Sequence, residues 1–239
     1  MKQVTPYNTE AGKKKEVEDM FDNIAPKYDL LNHVLSMKID VLWRNTLVKW
    51  MNADQPKEVL DVATGTGDLA IAVQKGTGAK VVGLDLSQQM LNVGIEKIKK
   101  IKLNDQIEMV KGDAENLPFE SNKFDAVSVA FGVRNFENLT KGLAELKRVV
   151  KNGKSVYILE FSKVEGFLAP FYMFYFRNIL PQIGKLVSKD NRAYTYLPDS
   201  VNAFPFGEKM KTILLDVGFK TVEYKKLSLG IATIYKATK

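Results

Sequence analysis

Three acids stand at or just after the ends of three apolar runs. Val59-Leu60-Asp61-Val62-Ala63 leads into Thr64-Gly65-Thr66-Gly67-Asp68-Leu69-Ala70, Val81-Val82-Gly83-Leu84 ends in Asp85, and a third run is followed by Gly112-Asp113-Ala114. Glycines at a strand-to-helix turn let the backbone approach a ligand closely, and an acid closing the next strand accepts hydrogen bonds from ribose hydroxyls. The pattern describes a nucleoside cradle. Gly65 to Ala70 also fits the dinucleotide form G-x-G-x-x-G/A, so the turn alone does not choose the ligand. Asp61 argues for one choice. Directly before the turn, its carboxylate would repel a pyrophosphate but attract the ammonium of S-adenosyl-L-methionine. Asp113 is suited to hydrogen-bond an adenine amino group. The alternative for Asp61 is structural, a carboxylate satisfied by the backbone amides of its own turn.

The elements that must position these residues follow from hydrophobic spacing. Strands are expected over 58–62, 80–85, 107–111, 125–131 and 155–161, with helices over 68–75 and 88–100 and a further helix carrying Leu139, Leu143, Leu146 and Val150. Such alternation builds an α/β fold, a Rossmann-like parallel sheet with helices on both faces. The C-terminal end differs. A helical stripe of Phe206, Met210, Ile213, Leu214 and Val217 stops at Gly218, and strands over 219–226 and 231–237 are joined by a short Ser-Leu-Gly link. Strands so closely linked cannot be parallel neighbours, so a seven-stranded sheet with an antiparallel C-terminal hairpin is predicted. That ending is usual for a methyltransferase sheet and is not expected of a dehydrogenase.

Residues 1–12 lack periodicity and read as a flexible arm before a single domain over 13–239. Val17, Met20, Phe21 and Ile24 mark an amphipathic helix stopped by Pro26; Tyr28, Leu31 and Leu35 mark a second, and Trp43, Leu47, Trp50 and Met51 a third. Together, 13–55 are expected to form a helical cap. Residues 163–206 form an insertion with the apolar block Phe171-Tyr172-Met173-Phe174-Tyr175-Phe176, continued by Ile179, Ile183, Leu186 and Val187. Core packing accounts for such a stripe in most proteins. Because the block is apolar on every side, a greasy substrate channel or membrane-facing patch is the sharper reading.

Composition excludes several chemistries. The 239 residues, 45% of them hydrophobic, can bury a proper core. With no cysteine there is no thiolate nucleophile, disulfide or cysteine zinc site, which fits a reducing, cytoplasmic compartment. A single histidine, His33, builds no metal site, and none is expected. The N-terminus lacks the apolar core of a signal peptide, and no apolar run reaches the roughly 18–20 residues of a spanning helix. A net charge of +7 admits nucleic acid, an anionic membrane or merely a basic enzyme. Nucleic acid is disfavoured. The lysines are scattered away from aromatic platforms, and Phe131-Gly132-Val133-Arg134-Asn135 stands where methylases of exocyclic amines usually carry an Asp/Asn-Pro-Pro-aromatic turn.

The chain resembles the class I S-adenosylmethionine-dependent methyltransferases and, more narrowly, the quinone-biosynthesis C-methyltransferases acting on demethylmenaquinone or its ubiquinone-pathway counterpart. Tyr28-Asp29-Leu30-Leu31-Asn32-His33-Val34-Leu35-Ser36 with Trp43, the Phe131 to Asn135 stretch, and Arg148-Val149-Val150-Lys151-Asn152-Gly153 running on to Leu159-Glu160-Phe161-Ser162 carry the resemblance. Asp40 and Ala130 stand where the family usually has His and often Ser. The resemblance implies Thr66, Asp85 and the Asp113-Ala114 pair as cofactor contacts, joined by Asp61, Gly65 and Gly67 from the reading of the turn. It implies methylation of a prenylated quinol ring, most simply demethylmenaquinol to menaquinol, with the benzoquinol as the alternative acceptor. A non-catalytic nucleoside-binding or assembly protein is the alternative of a different class.

A quinol is electron-rich at the ring carbon beside its hydroxyl, so its methylation needs alignment and exclusion of water, without covalent activation. Arg134 is expected to stabilise a developing phenolate and Asn135 to hold the second ring oxygen, with Tyr28 reaching the ring or relaying a proton. A structural ion pair is the alternative for Arg134. His33 is a candidate base by its ordinary pKa, and Glu160 falls near the cleft with no assigned role. Because a prenyl tail stays in the bilayer, transient contact with the inner membrane face is expected, and a homodimer is one option for assembly.

Overall fold

The computed structural model describes residues 4–36, 38–164 and 192–239. The chain opens with helix α1 (Lys13–Ile24), whose Val17, Met20 and Ile24 are buried, and a 3-10 turn at Ala25–Lys27 that places Pro26 where no amide is needed. Helices α2 (Tyr28–Leu35) and α3 (Ile39–Asn52) complete the cap. Residues 4–12, expected as a flexible arm, carry no helix or strand but are fastened at 7–9. The buried Glu16 carboxylate accepts the N–H groups of Tyr7, Asn8 and Thr9 and the Thr9 hydroxyl.

The alternating half follows as β1 (Glu58–Val62), α4 (Asp68–Thr77), β2 (Lys80–Asp85), α5 (Gln88–Lys100), β3 (Ile107–Lys111), β4 (Phe124–Ala130), α6 (Leu139–Val149) and β5 (Val150–Phe161). Helices α7 (Arg192–Ala203) and α8 (Glu208–Asp216) precede β6 (Thr221–Leu227) and β7 (Ala232–Thr238). The sheet order is β3-β2-β1-β4-β5-β7-β6. Strands β1 to β5 pair in parallel, and β7 runs antiparallel between β5 and β6, so the predicted hairpin is present with its second strand turned inward.

Side chains alternate along each strand, so the sheet buries two faces. Leu60, Val62, Val127, Val129, Val156 and Ile158 pack with Leu143 and Leu146 of α6 and Met210 and Leu214 of α8. Val59, Val81, Ala126, Tyr157 and Leu159 pack with Trp43, Leu47 and Met51 of α3 and Leu69, Ala70 and Val73 of α4. The cap is thus part of the core: α3 takes one face of the sheet, while α1 joins Met90 of α5 and Tyr196 and Val201 of α7 in a third cluster. Trp43 also donates its indole N–H to the Ser228 hydroxyl in the hairpin link, at 2.9 Å.

Strand ends shift from the expectation at β4, β5, β6 and β7, and two of these shifts have a clear cause. Strand β5 starts at Val150, earlier than 155, because Val150 pairs with Phe124 across a register shift, and the polar Lys151 to Lys154 run hides that pairing from any hydrophobic pattern. Strand β4 ends at Ala130 because Phe131 already turns, with φ +58°. The apolar block at 171–176 and the stripe from Ile179 to Val187 lie outside the described residues.

Candidate active site

The parallel strands converge their carboxyl ends on one edge, and β1 and β4 are neighbours at the point where the chain order reverses, the usual crevice of an open α/β sheet. After β1 the backbone turns sharply: Ala63 is left-handed at φ +53°, and Gly65 and Gly67 follow at φ +57° and +81°. Gly67 caps α4, a conformation a side chain would strain.

Asp85 closes β2 and pins this turn. Its carboxylate accepts the Gly65 N–H at 2.8 Å and the Ser87 N–H at 2.9 Å, while burial pushes its pKa up against those hydrogen bonds. It lines a cleft with Gly65, Leu86, Asp113, Ala114, Phe131 and Asn135. The cleft encloses ≈ 730 Å³ of atom-free space, a figure that includes its open mouth. Lys14 of α1 reaches across to Asp113 at 2.7 Å, and the other Asp113 oxygen accepts the Glu115 N–H at 2.9 Å.

On the other side of Gly65 lies a smaller pocket, lined by Asp61, Thr64, Thr66, Asp68, Arg44 and Tyr28 among others. Asp61 is buried and accepts the hydroxyls of Thr64 and Ser128, each at 2.7 Å. Burial pushes its pKa up to about 6 despite those two donors. Its partners are therefore hydroxyls from the turn and from β4, where backbone amides formed the structural alternative. Thr66 is also buried, and its hydroxyl donates to Asp29 of α2. Tyr28 lines both pockets with its ring edge-on to Phe21, and burial raises its pKa.

The acceptor candidates separate. Asn135 lines the cleft, and its side-chain oxygen accepts the Tyr196 hydroxyl at 3.0 Å. Arg134 does not line it. Its Nη1 pairs with Glu160 at 2.8 Å and donates to the Phe131 carbonyl, its plane lies over the Phe161 ring, and its buried Nε has no partner among the described residues. Glu160, left without a role by the sequence, is that partner. His33 falls on α2, and its side chain lies outside the described residues. Lys14, Asp29, Arg44 and Ser128 were given no role at the site by the sequence. Arg44 follows Asp40 at the spacing of an ordinary exposed helical ion pair, and nothing along the chain marks that pair as buried.

The donor set fits S-adenosylmethionine. The larger cleft offers acids at the ends of β2 and beyond β3 for ribose and adenine, with Leu86 and Ala114 as apolar walls, and the smaller pocket joins acids and a cation beside the turn.

The ubiE/COQ5 methyltransferase family matches residues 8–239. A demethylmenaquinone methyltransferase of Bacteroides fragilis is 46% identical over 99% of this chain and 97% of its own. A ubiquinone/menaquinone biosynthesis C-methyltransferase, UbiE, of Geotalea daltonii is 43% identical over 97% and 98%. Among solved structures, a SAM dependent methyltransferase from Aquifex aeolicus matches with a TM-score of 0.56 and 24% identity over 76% of this chain and 81% of its own, a likeness of fold.

Proposed function

The chain belongs to the ubiE/COQ5 methyltransferase family, and from that premise we propose that it transfers a methyl group to the ring carbon of a prenylated demethylmenaquinol, yielding menaquinol. It is an S-adenosylmethionine-dependent methyltransferase. The observation that carries the acceptor is the near full-length identity with proteins named for demethylmenaquinone.

S-Adenosylmethionine, when bound, supplies the electrophilic methyl group. In the proposed mechanism Asp85 holds the ribose hydroxyls from a position already fixed by Gly65 and Ser87, and the Asp113 and Ala114 region receives the adenine. Tyr28, Phe21 and Phe131 wall the cleft against water. Asn135 would hold one ring oxygen. Its neighbour Arg134, which does not line the cleft and is paired with Glu160, would act on charge growing on the phenolate through its field and not by direct contact.

Cell lipids test the acceptor. A strain lacking this gene is expected to accumulate the demethylated naphthoquinone and to regain menaquinone on complementation; an unchanged quinone profile overturns the assignment. A benzoquinol acceptor is supported by the relative named for both pathways, and an assay offering both rings separates the two readings.

We also propose that the protein docks transiently on the inner membrane face, where a prenylated ring resides. The net charge of +7 and the exposed Leu30, Val41 and Leu42 of the cap support this. Among the described residues no helix is long and apolar enough to cross a membrane. Flotation with anionic liposomes is expected to carry the protein upward, and absence of binding with or without anionic lipid rejects docking.

A further inference from the structure

The smaller pocket beside the glycine turn contains a cation that the reading above does not use. Arg44 lies on α3 with its side chain only 10% exposed, and both of its ion pairs, with Asp40 and with Asp68 at 3.7 Å, run through Nη1. A guanidinium carries five N–H donors in a planar fork, and with both aspartates on Nη1 the remaining donors can serve a further carboxylate. Its Cζ lies over the Phe131 ring, 5.8 Å from the centroid, beside the pocket wall that Phe131 forms. Gly65, Tyr28, Ala63, Ala130 and Phe131 line both this pocket and the larger cleft, so the two spaces meet at the turn.

We propose that Arg44 is the binding residue for the α-carboxylate of the cofactor's amino-acid end. With the nucleoside in the larger cleft, that end is the part of the ligand that must lie past Gly65. It is a zwitterion, and the smaller pocket has a zwitterion's complement: Arg44 for the carboxylate, and Asp61 and Asp68 for the ammonium. Asp68 is held by Lys97 at 2.7 Å and Asp61 by two hydroxyls, which limits their repulsion of the incoming carboxylate. The cap thereby acts in cofactor recognition as well as in packing, because α3 brings this charge to a turn built by β1.

This inference rests on S-adenosylmethionine being the ligand, and its test separates the two. Calorimetry compares S-adenosylmethionine with decarboxylated S-adenosylmethionine, which keeps adenosine, sulfonium and ammonium and lacks only the carboxylate. Wild-type protein is expected to prefer the complete ligand by about 10- to 100-fold, the scale of a charge-assisted hydrogen-bond pair. Arg44→Gln is expected to abolish that preference. Because Arg44→Gln removes the positive charge paired with the buried Asp40 carboxylate, the Asp40→Asn/Arg44→Gln double variant is measured alongside it, and the ratio of the two ligands within each folded variant cancels general loosening. A preference retained in either variant, or absent from wild type, overturns the role of Arg44. Wild-type protein binding neither ligand overturns the cofactor reading itself.

Discussion

Asp29 of the cap accepts the hydroxyl hydrogen of Thr66 in the glycine turn, and Lys97 of α5 bridges the same pair, 2.6 Å from Asp29 and 3.2 Å from Thr66. Helix α2 is therefore tied directly to the cofactor cradle, and the local order of the two should rise and fall together. Asp29→Ala is expected to cost about 1 kcal/mol, the scale of one partly exposed charge-assisted contact. Faster amide exchange should appear in α2 and the turn together. Exchange confined to α2 would show that the two elements are not linked through this contact.

Asp85 both orders the turn and faces the cleft. Asp85→Ala leaves the Gly65 and Ser87 amides without their acceptor and removes the acid proposed for the ribose. Affinity for S-adenosylhomocysteine is expected to fall about 10- to 100-fold, read by calorimetry. Undiminished affinity would take Asp85 out of the binding site.

Arg134 and Glu160 form a buried pair, and removing one partner of such a pair typically costs about 3–5 kcal/mol because the other charge is stranded. Arg134→Ala alone would therefore mix a folding defect with any loss of chemistry. In Arg134→Gln/Glu160→Gln no net charge is stranded, and stability is expected to recover relative to Arg134→Gln. If Arg134 acts on the developing phenolate, turnover stays lost in the double variant while S-adenosylhomocysteine still binds. Wild-type turnover in that variant would leave Arg134 a purely structural role.

Asp61 gives the protein an unusual pH dependence. Its pKa is about 6 when folded against an ordinary 3.8, so the native state holds this proton more tightly than the unfolded chain does. Its stabilising contribution is complete below pH 3.8 and is lost as pH rises through about 6. Asp61→Asn removes that titration. The stability difference between wild type and Asp61→Asn should shift against wild type by up to about 3 kcal/mol between those limits, from 1.36 kcal/mol per pKa unit. Urea unfolding across that range measures it, and a pH-independent difference would show that Asp61 does not titrate there.

Local sequence determined much of this protein. Apolar runs ended by Asp61, Asp85 and a nearby Asp113, a glycine turn after the first and a short Ser-Leu-Gly link near the end were sufficient to predict the sheet and a nucleoside cradle, because period-two burial and turn chemistry are written in adjacent residues. Tertiary structure decided which side chains meet across the fold. Ser128 reaching Asp61, Glu160 reaching Arg134, Asp29 reaching Thr66 and Lys14 reaching Asp113 are contacts between residues far apart in the chain, and no local periodicity encodes them. The same holds for the cap. Spacing alone identified its helices, but only packing α3 against the sheet buries Arg44 beside the turn. An arginine's environment, set by what packs over it, decides whether its charge is spent on water or kept for a ligand.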